Sequence, residues 1–102
     1  MSERIKSAFD VMHKLICKDN CQEAEIMADE LMLTTVQRLM RVHMVNAREN
    51  DGRYGWWLQK RCTKRDLQEL LIKCINNEDW IDAANYAGML FMKHHMDSTD
   101  EE

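Results

Sequence analysis

Apolar residues recur at spacings of three and four along most of this chain, which is the period of an α-helix with one side in a core. The first such pattern runs from Ile5 to Ile16, and the second predicts a long helix from about Gln22 to Ala47. The polar run 18–20 between them predicts a break. The second helix carries apolar residues on more than one side, which favours a central position or an oligomer interface such as that of a homodimer.

The second half of the chain predicts a helical hairpin. Asn50-Asp51-Gly52 supplies residues that tolerate left-handed backbone conformations, so we expect a turn there. Thr63 with Asp66 three residues later fits a capping box at the start of a third helix. A polar run, 76–79, separates that helix from a fourth one, which is expected to end near His95. The predicted fold is therefore all-α, a small bundle of about four helices. We expect one domain, 1–96, which consists of a two-helix half (1–47), a turn region (48–62) and a helical hairpin (63–95). An acidic flexible tail (97–102) is expected to follow it.

Composition agrees with this helical pattern. The 102 residues include no proline and three glycines, which leaves few helix breakers, and the 45% apolar and 31% charged content is ordinary for a globular protein. No apolar run reaches the roughly 18 residues that a membrane span needs, and the N-terminus lacks a signal-peptide pattern. We therefore expect a cytoplasmic protein without membrane contact, whose four cysteines are free thiols.

Charge is unevenly distributed along the sequence. The net charge of −4 argues against direct nucleic-acid binding, which requires a basic face. Basic residues nevertheless concentrate in the middle of the chain, which suggests an electrostatically steered contact with an acidic protein surface or a phosphate. The alternative is a basic face that is merely solvated. The candidate partner-binding residues are Arg38, Arg41, Arg48, Arg53, Tyr54, Trp56, Trp57, Lys60 and Arg61.

Aromatic residues in the second half allow two interpretations. Trp56, Trp57 and Trp80 could form a platform on which a base stacks, as in single-strand nucleic-acid binders. Core packing of the hairpin is the interpretation that the helical spacing favours.

Two sets of residues have spacings that suit a metal ion. Asp79 and Asp82 stand three apart at the start of the fourth helix and could share a divalent cation, although first-turn acids are also favoured by the helix dipole. Asn85 lies one turn further on and is expected to be solvated. A zinc site is the weaker alternative, because the break at 18–20 interrupts its helix; its ligands would be His13, Cys17 and Cys21 with His43, His94 or His95.

Residues 52–92 resemble phage-encoded MazG-like nucleotide pyrophosphohydrolases and their truncated relatives. The resemblance rests on Tyr54-Gly55-Trp56-Trp57, on Cys62 with the leucine-rich helix after it, and on the run 82–90, which is similar to the family pattern Asp-Val-Ala-Asn-Phe-Ala-Met-Met. In that family two acidic motifs hold Mg²⁺ against a nucleoside triphosphate. The resemblance implies that Asp79 and Asp82 fill the second motif, whereas the first is missing and Glu69 is the one carboxylate inside its helix.

These observations favour a binding protein over an enzyme. We expect no cofactor for a binding protein, whereas the enzyme alternative implies Mg²⁺. We expect a small phage-type accessory protein that binds and modulates, by inhibition, a host protein such as a defence or nucleic-acid enzyme in the host cytoplasm. The first alternative is a Mg²⁺-dependent nucleoside triphosphate pyrophosphohydrolase of MazG-like type. The second is a homo-oligomeric helical scaffold, because the hairpin 64–94 resembles one tetratricopeptide-type unit, which cannot bury its own apolar face.

Overall fold

A computed structural model describes residues 3–16 and 21–100, and every regular element among these residues is an α-helix. The helices are α1 (Glu3–Ile16), α2 (Cys21–Asp51), α3 (Lys64–Asn76) and α4 (Trp80–Asp100). The predicted all-α class with four helices is confirmed. The chain divides into two compact units, Met1–Gln37 and Arg38–Glu102, so that the boundary falls within α2. None of the described helices is both long and apolar enough to cross a bilayer.

The first unit contains α1 and the first part of α2. Ala24 is buried in it, whereas α2 leaves large apolar side chains exposed. These exposed side chains are Ile26, Met27, Met32 and Leu33. The predicted break at 18–20 and Cys17 lie outside the described residues, so the zinc alternative stays a prediction. The homodimer also stays a prediction.

The second unit has its core between α3 and α4. Leu67, Cys74, Ala83 and Tyr86 are buried there, and further apolar side chains pack against them. The surrounding residues are Cys62, Leu70, Leu71, Met89 and Leu90. Complete burial of a leucine such as Leu67 contributes roughly 1.5–3 kcal/mol to stability.

Three large apolar residues of the hairpin are exposed, among them Trp80, for which core packing was predicted. Ile75, Trp80 and Phe91 keep 45%, 60% and 62% of their surface accessible. The core of the hairpin forms on one side of α3 and one side of α4, and these three side chains lie outside it. The packing interpretation of Trp80 is therefore wrong.

The ends of α3 are held by local hydrogen bonds. The Asp66 N–H donates to Thr63 Oγ1 (3.1 Å) and the Thr63 N–H donates to Asp66 Oδ2 (3.0 Å), which confirms the predicted capping box. The bond from the Thr63 backbone, and then that from its hydroxyl, lowers the pKa of Asp66. At the other end Glu78 adopts a left-handed conformation (φ 61°), and the Asp79 N–H donates to the Cys74 carbonyl (2.8 Å). This arrangement is a Schellman motif with glutamate in place of the usual glycine.

Two helices extend beyond their predicted ends. α2 continues through Asn50 and Asp51, and Gly52 takes the left-handed conformation (φ 65°) that stops it, so the turn begins later than residue 48. α4 continues to Asp100, past the expected end near His95, because no proline or glycine interrupts its last turns. Glu101 and Glu102 lie outside the described residues.

Candidate functional site

A cleft of about 550 Å³ opens in the second unit, bordered by the end of α2, the segment 52–62, α3 and α4. We call it the basic cleft. Its volume lies in the range of pockets that bind small molecules or short segments of a partner. Its polar and aromatic lining residues are His43, Arg48, Arg53, Tyr54, Trp56, Trp57, Arg61, Asp82, Asn85 and Tyr86.

The segment 52–62 owes its path to two glycines. After Gly52 the Arg53 N–H donates to the Ala47 carbonyl (3.2 Å), which turns the chain back along α2. Gly55 is buried at φ 77°, and a Cβ there would lie 2.9 Å from Arg61 Cδ. Because only glycine tolerates both this conformation and this approach, Gly55 lets Arg61 lie close to the backbone.

Three arginines give the cleft its charge. Arg53 Nη1 donates a hydrogen bond to Tyr86 Oη, and the Arg61 guanidinium lies 3.9 Å from the centre of the Tyr54 ring, a cation–π contact. The Arg48 side chain has no ion-pair or hydrogen-bond partner among the described residues. Two of the three guanidinium groups are thus held in place, and the third is available to a ligand.

Asp82 is the one acid among the described residues that line the cleft. Its Oδ1 lies 2.8 Å from His43 Nδ1, with both side chains about half exposed. The surrounding sequence reinforces the positive charge, because residues 38–65 contain eight Lys and Arg against two acids, a net charge of +6. The cleft therefore attracts anions although the whole chain is acidic.

Exposed aromatic rings border the arginines. Tyr54 and Trp57 keep 63% and 48% of their surface accessible, and Trp56 meets Trp57 edge-on at 5.7 Å between ring centres. The Trp56 carbonyl accepts a hydrogen bond from Nζ of Lys93 (3.4 Å), a residue of α4 that is almost fully buried. This buried lysine ties the aromatic segment to α4.

Asn85 contributes a buried polar group to the lining. Only 6% of its surface is accessible, and its Nδ2 donates to the Met40 carbonyl (3.1 Å). A carbonyl can only accept, so the amide nitrogen must face Met40 and the amide oxygen must face away from it. That oxygen, Oδ1, is buried and has no hydrogen-bond partner among the described residues. The expectation that Asn85 is solvated is wrong, because α2 covers it.

Six of the nine candidate partner-binding residues line the basic cleft. The other three, Arg38, Arg41 and Lys60, are exposed and do not line it. The cleft thus brings together the aromatic part of the predicted set with half of its basic part.

The predicted metal ligands are placed apart. Asp82 pairs with His43, and Glu69 Oε1 lies 3.4 Å from Arg65 Nε on the exposed side of α3. Within residues 3–16 and 21–100, no group of three or more His, Cys, Asp or Glu is arranged to hold a metal ion. Asp79, Asp82 and Glu69 therefore do not form one such group.

The two described free thiols are poorly suited to nucleophilic chemistry. Burial raises the pKa of Cys62, and the negative charge of Asp66 raises it further. Burial also raises the pKa of Cys74, with Asp82 and Asp79 adding to the effect. Both groups are therefore thiols rather than thiolates at neutral pH, and Cys62, which lines the cleft, is a packing residue there.

Sequence reasoning missed the pairing of His43 with Asp82 and the role of Asn85 at the cleft. The partners are separated by 39 and 45 residues, so no local spacing indicates them. The signal that could have found Asn85 is its spacing of three from Asp82 and four from Met89, which places it on the side of α4 where both line the cleft. Comparisons with protein-family models, with curated proteins and with solved structures find no match to this chain.

Proposed function

We propose that this protein is a non-enzymatic binding module that acts on another protein through the basic cleft. The observation that carries this proposal is the convergence of Arg48, Arg53 and Arg61 with the exposed rings of Tyr54 and Trp57. Arginine, tyrosine and tryptophan are the residue types that most often dominate binding energy at protein interfaces. A cleft that presents all three at once is suited to anchoring a partner.

The charge distribution supports a partner with an acidic surface. Residues 38–65 have a net charge of +6, which leaves −10 on the rest of the chain. This separation orients an acidic partner toward the cleft during encounter and repels it elsewhere. It favours fast and specific association more than it adds to affinity.

The biological setting follows from the sequence resemblance. Residues 52–92 resemble phage-encoded MazG-like proteins, and the carboxylates that their chemistry needs are incomplete here. A phage-type accessory protein that inhibits a host protein in the host cytoplasm fits both features. Its inhibition would consist of occupying an acidic surface that the host protein needs for its own function.

Co-purification from a bacterial lysate tests this function with a matched pair of variants. Arg48→Glu reverses the charge of the one arginine in the cleft that has no partner within the described part of the chain, and Arg4→Glu does so at an exposed position in the first unit. We expect a protein that is retained by the wild type and by Arg4→Glu and is released by Arg48→Glu. If mass spectrometry finds no protein with this pattern, the proposal is wrong.

A Mg²⁺-dependent nucleoside triphosphate pyrophosphohydrolase is the second candidate. The observation in its favour is that Asp82 lines the same cleft as the arginines and the aromatic rings. Incubation of the purified protein with each nucleoside triphosphate and Mg²⁺ distinguishes the two functions. Release of a monophosphate that Asp82→Asn abolishes would favour the enzyme, whereas the binding module yields none.

A further inference from the structure

Resting on the proposed function, we infer that the basic cleft binds a peptide segment with consecutive acidic side chains. Its carboxylates pair with the arginines, and its peptide planes pack on the exposed rings of Tyr54 and Trp57. The juxtaposition that leads to this inference is the unpartnered guanidinium of Arg48 in the same cleft as two arginines that are already held in place and two exposed aromatic rings.

The arginines select carboxylates by geometry as well as by charge. A guanidinium offers parallel N–H groups that match the two oxygens of a carboxylate. Arg53 is held by Tyr86 and Arg61 by Tyr54, so neither group has to be ordered when the ligand binds. Asp82 already pairs with His43, which leaves the arginines without an acid of their own within the described lining.

The remaining surface argues against a nucleic-acid strand. A polyanion that extends beyond the cleft would meet the rest of the second unit, where residues 66–100 contain seven acids against two lysines, a net charge of −5. A short acidic segment contacts the basic residues alone. Its peptide planes can pack on the exposed rings of Tyr54 and Trp57, as peptide planes do at other aromatic-rich binding surfaces.

Titration of the full-length protein with defined ligands tests this inference, with isothermal calorimetry as the readout. The probes are a capped oligoglutamate, a capped oligoglutamine and a nucleoside triphosphate. We expect oligoglutamate to bind and oligoglutamine not to bind. Arg48→Gln should weaken the binding of oligoglutamate about tenfold, whereas the same change at Arg4, an exposed arginine of the first unit, should leave it unchanged.

Three results would overturn the inference: no binding of oligoglutamate, equal affinity for oligoglutamine, or preference for the nucleotide. The proposed function fails separately. If oligoglutamate does not bind but a co-purified protein still depends on Arg48, only the inference is wrong. If neither is observed, both are wrong.

Discussion

Replacement of Asn85 by leucine tests whether its buried amide oxygen destabilises the free protein. The substitution keeps the branched side-chain skeleton and removes both polar atoms. An unpaired buried oxygen costs about 1–3 kcal/mol, whereas the bond from Nδ2 to the Met40 carbonyl contributes about 0.5–1.5 kcal/mol. Since the lost penalty exceeds the lost bond, we expect Asn85→Leu to stabilise the free protein by about 1 kcal/mol.

Thermal unfolding followed by tryptophan fluorescence measures this effect in the second unit, because all three tryptophans lie there. A gain of about 1 kcal/mol should raise the Tm by about 4–8 °C. Asn46→Leu is the matched control, since Asn46 is exposed on α2 and the change gains the same helix propensity. If Asn85→Leu is less stable than the wild type while Asn46→Leu is not, Asn85 is a structural residue and the reasoning is refuted.

Three further predictions concern the turns and the helix cap. Glu78→Gly should raise the free energy of unfolding by about 1 kcal/mol, because glycine adopts the left-handed conformation without a penalty; urea unfolding checks this, and no gain would contradict it. Gly52→Ala and Gly55→Ala should lose about 1 kcal/mol each, but only the second should weaken oligoglutamate binding, since its Cβ displaces Arg61. If calorimetry gives Gly52→Ala and Gly55→Ala equal affinities for oligoglutamate, this explanation of the role of Gly55 is wrong. The N-cap hydrogen bonds lower the pKa of Asp66, so its contribution to stability is present above pH 3.8 and is lost as the pH falls through the lower folded value. Asp66→Asn should therefore flatten the acid side of the stability profile, and an unchanged profile would count against the capping role.

Features that depend on residues close together in the sequence could be predicted from the sequence. The capping box of Thr63 and Asp66 and the four helices follow from spacings of three and four residues. The basic and aromatic composition of the cleft was also visible, because Arg48, Tyr54 and Arg61 lie close together in the chain.

Features that depend on tertiary packing were not predictable. Asn85 is buried because α2 returns over it from 45 residues away. Trp80 and Phe91 are exposed because they lie outside the core that α3 and α4 form. Helical spacing identifies which residues share a side of a helix, but it does not say which side another helix covers.

The most direct test of the account is nuclear magnetic resonance mapping of the isotope-labelled protein during titration with oligoglutamate. The account predicts shifts of backbone amides around Arg48, Tyr54 and Arg61 and of the Asn85 side-chain amide, while residues 3–36 stay unchanged. Binding that perturbs residues 3–36 and leaves these groups unchanged would contradict the claim that the basic cleft is the binding site.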